Sequence, residues 1–597
     1  MFVRRFSGLL TLAAMTAAGL SAAMAAEAST GTGAILPVMS CEALAKLDLT
    51  PLNARVASGA TVTRNGHSFC DVKGYSSPVI QFEALLPTET WRGDYLQQGC
   101  GGLCGNADVS LDDPSRTSGY QAPYAPLKNG EMVVAADDQG HEAPSNGDVL
   151  WARDDLRLQP VFLHSFEHRL ARAMNAVIHA IFGRKPTHWA RDDLRLRAEF
   201  GYRSEHQLAR AMKAVIHAFF GRKPAYSYFS GVSDGGRKAL VLAERHPADF
   251  DGIIAGSPAN NWAPFAGLVA PWFAAVNQDA QGKQVLTAEK LPALHAAVMA
   301  ACAGANGVIR DPRACAFDPA SMRCPAGADR PDCLTDQQVR VVRDEYRGPS
   351  DKEGHGLFDG GEPYGSELAW ANFLAMPAAD AAAPADTYAA AIGLAYLNDM
   401  AFWPNAPGNY SLGSVPFTVE MRQRLEQLGG IYNATDPDLS AFAANGGKII
   451  IYHGWADQAI PPFATLDYYR AVVGQAGGLP AAQAFSRLYM IPGLYHCPCG
   501  QPVDGDPATT VQFMPELVAW VERGEAPGAI TLPVTAQTTG AHLASLTIDP
   551  FDPLKPAPDN NGLNSNYHDM FATSDYKPGD VLWCPDGRQP LVCSPRL

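Results

Sequence analysis

A glycine–serine turn at residues 231–235 constrains the fold of this chain more than any other feature. The run before it, 225–230, is apolar and aromatic, and the run after it, 238–245, has a helix-like composition. A serine between a strand and a helix lies on a tight turn, so the residues two positions away must be small, and both are glycines. We interpret the segment as a nucleophile elbow with Ser233 as nucleophile. An ordinary glycine–serine turn is the alternative.

An activated serine needs a base, and the base needs a carboxylate that fixes its tautomer. Asp457 follows one apolar strand-like segment, and His496 follows the next. The order Ser233, Asp457, His496 is that of α/β-hydrolases, and active residues of parallel sheets lie beyond the carboxyl ends of strands. We therefore predict these three as the catalytic residues. His453 is the competing base, although its place at the end of a strand favours a structural role.

A glycine cluster at 99–105 follows the predicted strand 95–98. Glycines let backbone N–H groups turn toward an anion, and an oxyanion loop is expected at this place in a serine hydrolase. We predict that the N–H of Asp234 and that of Gly101 or Gly102 hold the oxyanion. A plain flexible loop is the alternative.

Short apolar strands alternate with helices, which indicates an α/β fold with a parallel sheet. From 260 to 445 this pattern gives way to alanine-rich helices, paired cysteines and long loops. We predict an α/β-hydrolase catalytic domain over 26–259 and 446–597, with a large domain inserted at 260–445.

The chain also contains a tandem duplication, in which 151–188 is repeated by 189–224. Two copies do not make a solenoid, which needs three or more units. Only the second copy runs directly into the elbow, so we expect its helix, 205–220, to hold the structural place. The first copy is then an added surface helix or poorly ordered.

Charge and targeting signals restrict the partners. The formal net charge of −15 argues against nucleic acid and anionic membranes. Residues 1–25 combine a positive start, a short apolar stretch and an Ala-x-Ala site, as in a secretory signal peptide. We expect a secreted or periplasmic protein with a small-molecule substrate.

Twelve cysteines in an exported protein indicate disulfide bonds. Eight of them fall into close pairs, Cys41 with Cys70, Cys302 with Cys315, Cys324 with Cys333 and Cys584 with Cys593. The other four, Cys100, Cys104, Cys497 and Cys499, have a spacing unusual for zinc, which is the alternative to disulfides.

The chain resembles the tannase and feruloyl esterase family, which includes mono(hydroxyethyl) terephthalate hydrolase. The resemblance covers nearly the whole mature chain except the extra repeat copy. It rests on Gly-Val-Ser-Asp-Gly-Gly-Arg at 231–237, Phe-Asp-Gly-Ile-Ile-Ala-Gly-Ser-Pro-Ala at 250–259, Asp-Cys-Leu-Thr at 332–335, Tyr-His-Gly-Trp-Ala-Asp at 452–457 and Pro-Gly-Leu-Tyr-His-Cys at 492–497. It implies an α/β-hydrolase core, an inserted lid and hydrolysis of aromatic carboxylic esters.

Two departures from the family pattern stand out. The family commonly has a cysteine before the nucleophile, bonded to the cysteine after the catalytic histidine, but here Val232 stands there. We therefore predict a replacement disulfide between the 99–105 and 496–500 loops. The family often binds calcium in an acidic lid loop between two cysteines. The loop 302–315 offers Asp311 alone, too few oxygens for that ion, so we expect no cofactor.

The predicted function is a secreted serine esterase for aromatic esters such as feruloyl or galloyl esters. The lid aromatics Trp370, Phe402 and Trp403, together with Phe373, are candidates for the wall around the acyl ring, and buried lid core is their other role. A serine peptidase on the same fold is one alternative function. A catalytically inactive aromatic-binding homologue, its elbow displaced by the duplication, is the other.

Overall fold

The computed structural model describes residues 33–76, 80–116, 121–141, 197–403, 409–496 and 507–555. Its centre is a nine-stranded sheet, and a separate three-stranded sheet lies near the C-terminus. The strands of the large sheet are β1 (Ala54–Arg64), β2 (His67–Ser76), β3 (Ile80–Pro87), β4 (Asp94–Gln98), β5 (Met132–Asp137), β6 (Tyr226–Val232), β7 (Gly252–Gly256), β8 (Lys448–Gly454) and β9 (Ser486–Ile491). The small sheet contains β10 (Pro507–Thr509), β11 (Ile530–Ala536) and β12 (His542–Ile548).

The large sheet is parallel over most of its width. Its order is β1-β2-β3-β5-β4-β6-β7-β8-β9, and the six strands from β5 to β9 in this order all run parallel. β1, β2 and β3 form an antiparallel edge. The predicted α/β fold with a parallel sheet is therefore confirmed.

Helices of seven or more residues cover the sheet and fill the segment between β7 and β8. They are α1 (Ser204–Phe220), α2 (Asp234–Arg245), α3 (Ala270–Val276), α4 (Leu291–Cys302), α5 (Asp336–Arg347), α6 (Tyr388–Asp399), α7 (Val419–Glu426), α8 (Phe463–Gln475) and α9 (Met514–Arg523). Short helical turns connect several of them. α1 is the helix expected from the second repeat copy, and it ends at Gly221, whose φ of 72° gives a left-handed C-cap.

Alternate residues of the central strands enter two separate cores, as the period of two in a strand requires. In β8, Ile449 and Ile451 belong to the core that contains α1 and α2, whereas Ile450 packs into the core that contains α9. Both faces of the sheet are thus covered, which explains the three successive isoleucines at 449–451 of β8.

β7 and β8 are hydrogen-bonded neighbours, although 191 residues separate the end of one from the start of the other. The described residues of this long connection contribute no strand to the large sheet. The boundaries 260 and 445 predicted for an inserted lid domain fall inside this connection and stay a prediction.

Three of the predicted disulfides are present, Cys41–Cys70, Cys302–Cys315 and Cys324–Cys333. The predicted bridge from the 99–105 loop to the 496–500 loop is wrong, because Cys100 and Cys104 are bonded to each other. The loop between them turns tightly enough to bring their Cα atoms to 5.5 Å, within the usual range for a disulfide.

Several predictions concern segments outside the described residues. They are the signal peptide at 1–25, the first repeat copy, and the cysteines Cys497, Cys499, Cys584 and Cys593. Within the described ranges, none of the helices combines the length and the apolar composition that crossing a membrane requires.

Candidate active site

The turn between β6 and α2 has the strained geometry expected of a nucleophile elbow. β6 ends at Val232 and α2 begins at Asp234, so Ser233 alone makes the turn, with φ 65° and ψ −120°. A Cβ atom on Gly231 would lie 2.4 Å from the carbonyl oxygen of Gly235, which leaves no space for any side chain. The surrounding structure thus holds Ser233 in a conformation that a non-glycine residue rarely adopts.

Ser233, His496 and Asp457 lie in one hydrogen-bonded chain. The Nε2 atom of His496 is 2.9 Å from the Ser233 Oγ atom, and its Nδ1 atom is 2.8 Å from the Asp457 Oδ2 atom. Asp457 follows β8 and His496 follows β9, so both residues lie beyond the carboxyl ends of parallel strands, beside the elbow. The structure therefore brings together the three residues that the sequence proposes as catalytic.

Asp457 is fully buried and is held as an anion. Its Oδ1 atom accepts hydrogen bonds from the backbone N–H groups of Ala459 at 2.9 Å and Ile460 at 2.8 Å. Burial alone would raise the pKa of Asp457, but the charges and hydrogen bonds of His496 and His453 outweigh it and hold the pKa well below its usual range. The carboxylate can therefore orient His496 and stabilise its positive charge.

His453 also lies near this carboxylate, with its Nε2 atom 3.3 Å from the Asp457 Oδ2 atom. Its Nδ1 atom is 2.8 Å from the Thr465 hydroxyl, and its Nε2 atom is 3.0 Å from the Ile460 carbonyl oxygen. Both ring nitrogens thus have partners inside the protein. This arrangement favours a structural role for His453 over that of a competing base.

Two of the three residues proposed for the oxyanion border the same space. Gly101 and Gly102 line a cavity together with Ser233 and His496. The disulfide from Cys100 to Cys104 closes this loop, and the Gly99 N–H binds the Ser230 carbonyl oxygen at 2.9 Å, which fixes the loop to β6.

Asp234 is the first residue of α2, so its N–H has no acceptor within the helix. Its buried carboxylate is bound by Arg237 Nε at 2.7 Å and by Gln139 Nε2 at 3.1 Å. The side chain is therefore held inside the protein, and the backbone N–H of Asp234 stays the proposed oxyanion donor.

The cavity above Ser233 has a volume of about 450 Å³ and walls that are mainly apolar. The inserted segment between β7 and β8 supplies most of these walls, including five aromatic side chains, Trp262, Phe265, Phe273, Phe373 and Tyr388. Phe373 was among the aromatic residues singled out from the sequence, and the other four were missed. Their segment has no clear periodicity, so nothing in the sequence distinguishes a cavity-facing ring from a core ring.

The cavity lining does not include Trp370, Phe402 or Trp403, and each of these has contacts elsewhere. The Trp370 indole is fully buried and donates hydrogen bonds to Glu362 Oε2 and the Ser366 hydroxyl. The Phe402 ring packs under the Arg424 guanidinium, 4.6 Å from it, and the Trp403 ring packs under that of Arg197, at 5.5 Å. Trp370, Phe402 and Trp403 therefore do not line the cavity, and they have the other role considered from the sequence, that of packing residues in the inserted segment.

The loop 302–315 does not fit the calcium ion that the resemblance suggests. Asp311 is its one carboxylate, and Arg313 binds both oxygens of this group, Oδ1 through Nε at 3.0 Å and Oδ2 through Nη2 at 2.7 Å. The Arg313 guanidinium thus binds the one carboxylate of this loop. Calcium needs six or more oxygen ligands, so the loop offers too few.

Comparison with known proteins identifies the family. A family model described as tannase and feruloyl esterase matches residues 60–190 and 185–554. The chain belongs to this family. An uncharacterised esterase of Xanthomonas campestris is 30% identical over 525 residues, covering 80% of this chain and 80% of that protein. Mono(2-hydroxyethyl) terephthalate hydrolase of Piscinibacter sakaiensis is 28% identical over 527 residues, covering 79% and 77%.

Solved structures of the same family show the same fold. Feruloyl esterase B from Aspergillus oryzae aligns with a TM-score of 0.64 and 22% identity, over 86% of this chain and 95% of that chain. Tannin acyl hydrolase from Aspergillus niger aligns with a TM-score of 0.61 and 20% identity, over 88% and 93%. The chain is thus an α/β-hydrolase and, by family, a carboxylic ester hydrolase.

Proposed function

We propose that this chain is an exported serine esterase that hydrolyses esters of aromatic, chiefly phenolic, carboxylic acids. The observation that carries the proposal is the hydrogen-bonded chain from Asp457 through His496 to Ser233, which opens into a cavity with aromatic walls. The names of the relatives agree with this substrate class, since they include a feruloyl esterase, a tannin acyl hydrolase and a terephthalate monoester hydrolase.

In the proposed mechanism, the Ser233 Oγ atom attacks the ester carbonyl while the His496 Nε2 atom takes its proton. Asp457 holds the imidazole by its Nδ1 atom and stabilises the positive charge that forms there. The carbonyl oxygen of the ester becomes an oxyanion, which the backbone N–H of Asp234 and that of Gly101 or Gly102 stabilise.

His496 then donates its proton to the leaving alcohol, and an acyl-enzyme remains on Ser233. In the second half of the reaction His496 takes a proton from water, the resulting hydroxide attacks the acyl carbonyl, and Ser233 leaves with that proton. The aromatic acid is released and the enzyme returns to its starting state.

The cavity favours a flat, apolar acyl group. A single aromatic ring stacks on or meets the edges of the rings of Trp262, Phe265 and Phe273, and its burial removes apolar surface from water. The space is large enough for one ring and a short linker rather than a polymer, so we place the acyl ring here and the alcohol toward the solvent.

The test is a panel of gallate, ferulate, chlorogenate and terephthalate monoesters, with acetate and butyrate esters of the same alcohols for comparison. We expect kcat/KM to be at least tenfold higher for an aryl acyl group than for acetate. Equal or better turnover of the aliphatic esters would contradict the substrate class, and faster turnover of a matched aryl amide would favour a peptidase.

Ser233→Ala should lower kcat by several orders of magnitude and leave the unfolding temperature nearly unchanged, because the hydroxyl serves the chemistry and not the fold. Rapid labelling of the wild type, but not the variant, by a fluorophosphonate would show an activated serine. Unchanged ester turnover by the variant would refute the mechanism. Lack of labelling, with ligand binding intact, would favour an inactive binding protein.

A further inference from the structure

The backbone of His496 is held by a side chain that takes no part in the proton transfer. The N–H group of His496 donates a hydrogen bond to the Oε1 atom of Gln458, with 3.1 Å between the two heavy atoms. Gln458 follows Asp457 in the sequence and is fully buried. Within the described residues, no other hydrogen bond to the backbone of His496 is present. The contact therefore sets where the main chain of His496 lies.

The turn after β8 and the segment after β9 pack closely against each other. The Ala456 N–H binds the Leu494 carbonyl oxygen at 3.2 Å, and a Cβ atom on Gly454 would lie 2.1 Å from the same oxygen. His496 lies two residues after Leu494, and there the Gln458 side chain makes the contact between the two segments. The hydrogen bond of Gln458 thus extends a tightly packed interface up to the proposed catalytic base.

No disulfide from the elbow or from the 99–105 loop can fix this segment. The elbow, residues 231–235, contains no cysteine, and the two cysteines of the 99–105 loop are bonded to each other. The place of His496 beside Ser233 therefore depends on noncovalent contacts with these parts of the site. This dependence gives weight to a hydrogen bond made directly to the backbone of His496.

The adjacent residues Asp457 and Gln458 hold His496 at two points. The Asp457 Oδ2 atom lies 2.8 Å from the Nδ1 atom of the ring, and the Gln458 Oε1 atom accepts from the backbone N–H. A single hydrogen bond to the ring would let the imidazole pivot about that bond. The second bond fixes the main chain, so the two together determine where the Nε2 atom points. Asp457 is itself fixed, because the N–H groups of Ala459 and Ile460 bind its other oxygen.

We propose that Gln458 is a positioning residue for the esterase reaction, which keeps the Nε2 atom of His496 at 2.9 Å from the Ser233 Oγ atom. The inference rests on the proposed serine mechanism. A displacement of about 1 Å at a catalytic group can cost about a hundredfold in rate. Gln458 is not among the residues that line the cavity, so its loss should change kcat and not KM.

The first experiment compares variants at this position with p-nitrophenyl acetate, a substrate that does not depend on the aromatic acyl class. Gln458→Met keeps the length of the side chain and removes the oxygen acceptor, so kcat should fall about ten- to hundredfold with KM within about twofold. Gln458→Glu keeps an oxygen at the same reach and should recover most of kcat. Unchanged kcat in Gln458→Met, or equal kcat in the Met and Glu variants, would overturn the proposal.

Gln338 provides a matched control. It is also buried, and its Oε1 atom accepts a hydrogen bond from the backbone N–H of Thr335 at 2.9 Å, at the start of α5. Gln338→Met should lower the unfolding temperature, because a buried N–H loses its partner, and should leave kcat unchanged. An equal loss of kcat in this control would show that general loosening is the cause and would overturn the positioning role. If Gln458→Met does not fold, Gln458→Asn serves the same comparison, since it keeps the amide but is one methylene shorter.

A measurement without substrate separates this proposal from the proposed function. The proton on the His496 Nδ1 atom, in its bond with Asp457, should give a far-downfield NMR resonance that His496→Gln removes. Gln458→Met should broaden or remove this resonance, and Gln458→Glu should keep it. An unchanged resonance in Gln458→Met would overturn the role of Gln458, whatever the esterase activity. The expected changes in a protein that hydrolyses no ester would support that role and refute the proposed function.

Discussion

At the residue scale, Asp457 is shared by two histidines whose surroundings give them different tasks. His496 joins it to Ser233, whereas the two nitrogens of His453 are bound to Thr465 and Ile460 inside the protein. Both rings lie within 3.3 Å of the Asp457 carboxylate, so the main contrast between them is in the partners of their other nitrogens.

We predict that His496→Gln lowers kcat about a thousandfold or more with little change in unfolding temperature, because it removes the proton carrier. His453→Gln should show the opposite pattern, with a kcat loss within about tenfold and a stability loss of about 1–3 kcal/mol from buried groups left without partners. Ester kinetics and urea unfolding of both variants check this. A larger kcat loss in His453→Gln than in His496→Gln would reverse the assignment of the base.

Phe373 and Phe402 are a matched pair, since both are buried to a similar degree but only Phe373 lines the cavity. We predict that Phe373→Ala raises KM for an aryl ester about five- to thirtyfold, because about 1–2 kcal/mol of contact with the acyl ring is lost. Phe402→Ala should leave KM unchanged and lower the unfolding temperature. If the two variants had equal effects on KM, Phe373 would not contact the substrate.

At the element scale, the loop from Cys100 to Cys104 contains the two candidates for the second oxyanion donor. Gly101 and Gly102 are both inside the ring that this disulfide closes. Replacing both cysteines by serine should lower kcat at least tenfold, since the donors lose their fixed positions. The analogous double variant at Cys324 and Cys333 should lower the unfolding temperature without changing kcat. Equal kcat in both double variants would show that the loop is held by other contacts.

Many of the strands and turns are predictable from the sequence, because their patterns depend on residues that are close together along the chain. The apolar runs that became β6 and β8, and the glycines around Ser233, depend on neighbouring residues alone. The carboxyl ends of parallel strands lie at the same edge of a sheet. The sequence order therefore also predicts that Asp457 and His496 lie near Ser233.

The cavity walls and one disulfide were not predictable in this way. Trp262, Phe273 and Tyr388 face the cavity whereas Trp370 is in the core. All four lie in helices or helical turns, and which side of each meets the cavity depends on packing between segments that are far apart in the sequence. The pairing of Cys100 with its neighbour in the same loop depends on a backbone turn that spacing alone does not show.

At the scale of the whole molecule, buried carboxyl groups set the pH dependence of stability. Burial raises the pKa of Asp137 to about 6, of Asp94 and Asp467 to about 7, and of Glu205 to about 8. Between pH 4 and these values the folded chain therefore holds protons that the unfolded chain has lost. His246, with its lowered pKa, acts in the opposite direction, but only between about 4 and 6.5.

The free energy of unfolding should therefore fall as the pH rises from 5.5 to 8, because a state that holds more protons is favoured at lower pH. One differential proton changes it by about 1.4 kcal/mol per pH unit, so urea unfolding should show a loss of at least that size over this range. Glu205→Gln should flatten the slope, since it removes the group with the highest of these four pKa values, whereas Asp332→Asn, at an exposed carboxylate, should not. A stability that stays constant or rises between pH 5.5 and 8 would mean that these carboxyl groups are already ionised in the folded protein, compensated by the neighbouring cations.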